Sequence, residues 1–120
     1  MAAPKDLKAH AIELLNIWCN EKDIGKGIPY LHPSVTQIHD DEPPIQGADT
    51  FVARWKEFLK FVPDFKMDIK DVIQEGNRVW IFSRISGLPD GVVKDSVDMT
   101  VFDEDGKLLH TKDVQRVVEE

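Results

Sequence analysis

A single cysteine, Cys19, stands in 120 residues. It excludes an internal disulfide framework and fits a reducing compartment. Although hydrophobic residues make up 42% of the chain, charges interrupt every apolar run well before the roughly 20 residues of a membrane span. The opening MAAPKDLKAH lacks the apolar core of a secretory signal, so the expected setting is cytoplasmic, with no membrane contact. Basic residues are scarce as well: 15 Lys and Arg against 22 Asp and Glu give a net charge of -7. Phosphate backbones select positive surfaces, so nucleic acid is not an expected partner. There is no internal repeat, no phosphate-cradling glycine loop, no dinucleotide fingerprint and no nucleophilic serine or cysteine in a recognisable setting. His39, Asp40, Asp41 and Glu42 offer ligand chemistry, but consecutive strand residues point oppositely and no His-x-His or Glu-x-x-His spacing supports them. Neither metal nor cofactor is expected.

What remains is a chain of one-domain length, residues 1–120, long enough for a real core. From Lys5 to about Lys22, Leu7, Ala11, Leu14, Leu15 and Trp18 recur at helical spacing. DIGKGIPYLHP, with its glycines and prolines, predicts a broken helical turn and then a loop holding Tyr30 and His32. SVTQIHD alternates as a short strand, and DEPPIQG reads as loop. Asp49 or Thr50 can cap a second long helix with the stripe Phe51, Trp55, Phe58, Leu59 and Val62, ended by Pro63. After Pro63 the period becomes two, with Phe65, Met67 and Ile69 facing one way. EGNR turns the chain into VWIFSRIS, and GLPDG leads to a hairpin over Asp95 to Val114. Helices followed by strands predict an α+β domain, a curved antiparallel sheet closed into a cone by the helices.

Asp98 sits in the middle of a strand of that hairpin, on the face of Ser96, Thr100 and Phe102, opposite Val97, Met99 and Val101. Two registers are open. A four-residue loop over Asp103 to Gly106 puts Asp98 on the face of Leu109, Thr111, Asp113 and Gln115. A type I turn with Gly106 in a bulge puts it beside Lys112, as a surface ion pair.

FVPDFKMDIKDVIQEGNRVWIFSRISG resembles the middle of SnoaL-like proteins of the nuclear-transport-factor-2-like superfamily, and FDEDGKLLHTKDV is similar to that family's Asp-Gly-Lys hairpin. The resemblance runs from the first helix to Val114. It implies a cone-shaped α+β barrel with an interior active site, often dimeric through the outer sheet face, and favours the register with Asp98 inside. VDMTVFDEDGK is also similar to the ketosteroid isomerase segment that carries a protonated oxyanion-hole aspartate, which falls on Asp98. On that likeness His39 stands where those enzymes have an aspartate base, and Leu15 where they have a tyrosine, so a steroid-type oxyanion pair is incomplete. Asp113 stands where SnoaL-like proteins keep a pocket aspartate.

The expected site is therefore His39 as proton carrier with Asp98 and Asp113 as acids, and Trp18, Tyr30, Trp55, Phe58, Thr100 and Thr111 around the substrate. Each has a plainer alternative: the aromatic stripe as core, Tyr30 packed under the broken helix, Asp113 as a solvated strand carboxylate. The expected function is a cofactor-independent isomerase, cyclase or lyase acting on a small, largely apolar polyketide- or terpenoid-like molecule. The alternative is a non-catalytic domain that binds a small ligand or assembles a dimer. Val97, Met99, Val101 and Val114, turned outward, predict a homodimer through the outer sheet face.

Overall fold

The computed structural model describes residues 6–118. Asp6 caps the first helix, its Oδ1 accepting from Ala9 N at 3.1 Å, and α1 runs Leu7–Leu15. The chain then widens into a π-helical turn over Asn16–Glu21, so the helix expected from Lys5 to Lys22 changes winding halfway; Lys5 itself lies outside the described residues. Leu15, Trp18 and Cys19 are all buried in this stretch. Lys22, in the left-handed region at φ 58, ends it. The broken turn is α2, Ile24–Gly27, followed by a 3-10 turn at Ile28–Tyr30.

Strand β1, Leu31–His39, starts earlier than SVTQIHD suggested, and the expected loop after it contains a two-residue strand β2, Ile45–Gln46. Helix α3 spans Ala48–Phe61. Its N-cap is Gly47, at φ 97, rather than Asp49 or Thr50. The reason lies in the sheet: Gly47 N donates to Val35 O at 2.8 Å while Gly47 O accepts from Phe51 N at 3.0 Å, which starts the helix directly off β1. Asp49 instead occupies the first turn, where a carboxylate complements the helix dipole.

Strands β3 (Lys66–Glu75), β4 (Arg78–Ser86), β5 (Lys94–Phe102) and β6 (Leu108–Val117) complete one curved sheet of order β2-β1-β6-β5-β4-β3. Only part of the antiparallel expectation holds, because β1 runs parallel to β6. This mixed sheet and the helices over its concave face form an α+β cone, with α1 against β3 and β4 and α3 against β1 and β2. The core includes Leu7, Leu14, Val35, Ile81, Phe102 and Leu108. None of the described helices is long and apolar enough to cross a membrane.

The hairpin combines both open readings. Its turn is the bulged one: Gly106, at φ 79, donates its N–H to Asp103 O at 3.0 Å, and Asp103 N donates to Lys107 O at 2.9 Å. That turn alone would bring Asp98 beside Lys112. A second irregularity follows, since Phe102 pairs with Leu108 but Val101 pairs with His110. The extra residue is Leu109, which is turned out to solvent while Leu108 is buried, so Leu109 does not share the face of Asp98 as the four-residue loop required. Beyond this bulge Asp98 pairs with Asp113 and lies inside.

Candidate active site

Side chains on the concave face line up in rows across neighbouring strands, about 4.8 Å apart. One row reads His39, Asp113, Asp98 and Ile81, from β1, β6, β5 and β4. The next reads Gln37, Thr111, Thr100 and Val79. Thus the three candidate acid–base residues, far apart in the chain, stand side by side.

His39 Nδ1 and Asp113 Oδ2 share a hydrogen bond of 2.5 Å. Gln115, two residues on and so on the same face, donates from Nε2 to the same Oδ2 at 3.0 Å. Asp40, at φ 47, leaves the strand sharply, and its N–H donates to Asp113 O at 2.8 Å while its Oδ1 accepts from Gln115 N at 2.9 Å. The outer imidazole nitrogen, Nε2, lies 3.5 Å from Asp40 Oδ2 and 3.8 Å from Glu42 Oε2. The hydrogen bond to Asp113 holds the His39 pKa above the ordinary histidine value, burial opposes it, and the charges of Asp113, Asp40 and Glu42 add to the rise.

Asp98 has the opposite surroundings. Only 8% exposed, it has an Oδ2 to which no described group donates. Two carboxylates facing each other across a strand pair repel, and the donors all belong to Asp113. Burial therefore pushes the Asp98 carboxyl up to about 7, with the Asp113 charge adding and His39 opposing. Two equivalent side chains thus have different surroundings: Asp113 accepts from His39 and Gln115 and orients the histidine, whereas Asp98, buried without a donor at Oδ2, retains its proton to near neutrality.

These groups form one wall of a cavity of about 380 Å³, within the size range of small-molecule sites. The facing wall is aromatic. Trp18, Trp55, Phe58 and Phe65 line it, Trp55 stacking on Phe58 with centroids 5.1 Å apart and meeting Phe65 edge-on at 5.8 Å. Trp55 Nε1 donates to Trp18 O at 3.1 Å, fixing α3 on the π turn. Among the expected contacts, Trp18, Trp55, Phe58, Thr100 and Thr111 all line the cavity. Thr100 directs its hydroxyl to Val79 O at 2.6 Å, which leaves only its oxygen lone pairs and methyl for a ligand. Tyr30 is not among the lining residues; its ring packs on His10 with centroids 5.2 Å apart, which is the packing alternative. Leu15 lines the cavity where a tyrosine hydroxyl would complete the steroid-isomerase pair.

Sequence reasoning missed Gln115 as a clamp, and also Arg54 and Lys94 at the cavity. Alternation held the signal for both strand residues, Gln115 two places from Asp113 and Lys94 four places from Asp98. Cys19 lines the cavity too, but burial, with the charges of Asp98 and Asp113 adding, pushes its thiol far up, and a thiol without thiolate is a poor nucleophile. No cluster of three or more metal-ligating side chains occurs among the described residues.

A cone of mixed sheet closed by helices over its concave face is the nuclear-transport-factor-2-like class of fold. Within it the chain belongs to the SnoaL-like family, whose domain pattern matches residues 12–111. "Probable cyclase otaY" of Aspergillus carbonarius (strain ITEM 5010) is 40% identical over 116 residues, 97% of this chain and 94% of that protein. Its namesake in Aspergillus niger is 38% identical over 116 residues, 96% and 97% of the two chains. The crystal structure titled "Putative SnoaL-like polyketide cyclase", from Jannaschia sp. CCS1, superposes with a TM-score of 0.77 at 14% identity, covering 96% of this chain and 91% of that one.

Proposed function

We propose that this protein is a cyclase that acts by general acid–base catalysis on a small, largely apolar polyketide-like molecule held in the cavity. The observation that carries the reading is the single inner row His39, Asp113, Asp98, in which Asp113 hydrogen-bonds the histidine while burial favours the protonated form of Asp98. The name borne by the Aspergillus relatives supports the reaction class. With Nδ1–H bonded to Asp113, His39 presents Nε2 as the base. It takes a proton from the carbon next to a substrate carbonyl, and the carbon of the enolate so formed attacks a second carbonyl carbon of the same molecule, restoring the first carbonyl. Asp98 gives its proton to the oxygen of that second carbonyl. One C–H bond is broken, one C–C and one O–H bond are formed, and proton exchange with water resets imidazolium and carboxylate. Isomerisation or elimination would begin with the same proton abstraction, so the fate of the enolate is set by how the aromatic wall folds the chain.

The test is cyclisation of a synthetic poly-β-ketoacyl thioester followed by product chromatography. His39→Gln, Asp98→Asn and Asp113→Asn should each slow turnover by about 100-fold to 10,000-fold, the usual weight of a general acid or base. Wild-type rates in all three variants would sink the mechanism.

We also propose, on a separate observation, that two copies pair through the outer sheet face. Register places Ile73 beside Trp80 and Trp80 beside Met99, with Phe82, Val97 and Val114 forming the adjacent row. Ile73 is 61%, Trp80 45% and Val114 47% exposed, and such contiguous apolar surface is seldom left to water. Arg84, Asp95 and Arg116 bound it on one side, with Asp95 bridging both arginines at 3.1 and 3.6 Å. Light scattering at micromolar concentration should give twice the 13.7 kDa chain mass, and Val97→Glu should halve it; a monomeric wild type, or a dimer indifferent to that change, refutes the interface.

A further inference from the structure

One basic side chain of the cavity has no acidic partner among the described residues. His39 is matched by Asp113 at 2.5 Å, and Arg54 faces Glu42 at 3.8 Å. Asp98, held as a carboxylic acid, is neutral until pH approaches 7. Lys94 is left over. It shares the inner face with Ser96, Asp98 and Thr100 by alternation, lines the cavity and is half-buried. Its cross-strand neighbours are Ile85 and Val117, which suit a lysine stem but offer nothing to the ammonium, and it forms no ion pair among the described residues. An inward cation with apolar cross-strand neighbours and no ion-pair partner among the described residues is a recognition element for one negative charge.

We infer that Lys94 selects a carboxylate on the ligand, so that the cavity takes an aromatic or polyketide acid with its carboxylate at Lys94 and its reacting carbonyl at Asp98. This rests on reading the cavity as the substrate site. Four residues at about 3.3 Å each put the two Cα atoms roughly 13 Å apart, a span that a lysine side chain and a two-ring molecule fill together. Anchoring the acid end at Lys94 fixes which carbonyl reaches the row of Asp98 and His39. Lys94 is thus a specificity-determining residue that touches no reacting atom, and truncating it should raise KM more than it lowers kcat.

The experiment is calorimetric binding of 6-acetyl-2-naphthoate and its neutral analogue 6-acetyl-2-naphthamide to the full chain at low salt, at pH 6. The wild type should bind the acid about tenfold more tightly than the amide, or about 1.4 kcal/mol. Lys94→Gln should bring the ratio to about one with amide affinity unchanged, and Lys94→Arg should restore the preference. A ratio near one in the wild type, an undiminished ratio in Lys94→Gln, or no binding of either probe overturns the inference. The cyclase reading fails differently. Wild-type turnover in His39→Gln together with a preserved acid-over-amide ratio would remove the mechanism and leave Lys94 as the anion reader.

Discussion

Asp98→Asn should make this protein more stable while disabling it. In the folded chain the Asp98 carboxyl titrates at about 7, against an ordinary value of 3.8. Between those two pH values the unfolded chain has released a proton that the folded chain still holds. Stability therefore falls as pH rises, and the loss is complete only above the folded value. A raised folded-state pKa contributes full stability below 3.8 and loses it through about 7. A difference of about three, at about 1.4 kcal/mol each, amounts to about 4 kcal/mol. Asparagine has the same shape, carries no charge to desolvate, and its amide can donate to the adjacent Asp113. Urea unfolding at fixed protomer concentration, from pH 4 to pH 8, measures the difference. The two proteins should coincide near pH 4 and diverge until the variant leads by about 4 kcal/mol at pH 8. The rise in His39 pKa also favours the folded state at low pH and fades as pH climbs, but both proteins share that slope. Parallel profiles, or a variant less stable than wild type at pH 8, would show that Asp98 is ionised and paired, and the acid role would fall with it.

Two further outcomes follow from the same geometry. Asp113→Asn exchanges the charged acceptor that holds His39 up for a neutral amide oxygen and removes the charge that adds to the rise at Asp98, so both groups should titrate lower by NMR, and the basic limb of kcat/KM against pH should move to lower pH; a stationary His39 resonance would refute the pairing. Gly87→Ala should unfold the chain or cost several kcal/mol in thermal melts, because a Cβ at Gly87 would lie 1.8 Å from Asp64 O and the residue sits at φ 79. Gly91→Ala is the control: it has a similar φ of 73 but nothing within 4 Å, so wild-type-like loss at both would deny the close approach.

The parts of this fold that were legible in the sequence are those set by one element's own periodicity. The stripe of Phe51, Trp55 and Phe58 and the alternation of Phe65, Met67 and Ile69 each carry their burial in local spacing, whereas VWIFSRIS, apolar on both sides at its start, gave no sign that Trp80 and Phe82 face out. Contacts with no local signature were not legible. The pairing of β1 with β6 joins Gln37 to Thr111 and His39 to Asp113 in parallel, and a parallel pair has no tight turn to announce it. Gly47 caps α3 because Val35 O takes its N–H, a fact about β1 rather than about residues 47–50. The hairpin is the sharpest case. Its turn residues left a four-residue loop and a glycine bulge both open; the bulge forms, which alone would turn Asp98 outward, and one further residue, Leu109, restores the inward face. Since side chains alternate with period two, each inserted residue reverses a whole strand face, and two insertions cancel. The resemblance to SnoaL-like hairpins carried the correct face, although the four-residue loop that went with it is not the turn that forms. Asp113 stands opposite Asp98 because Leu109 is left out of the ladder; pairing Leu109 with Val101 would put Lys112 there instead, whereas deleting Leu109 should close the bulge and keep Asp113 opposite Asp98.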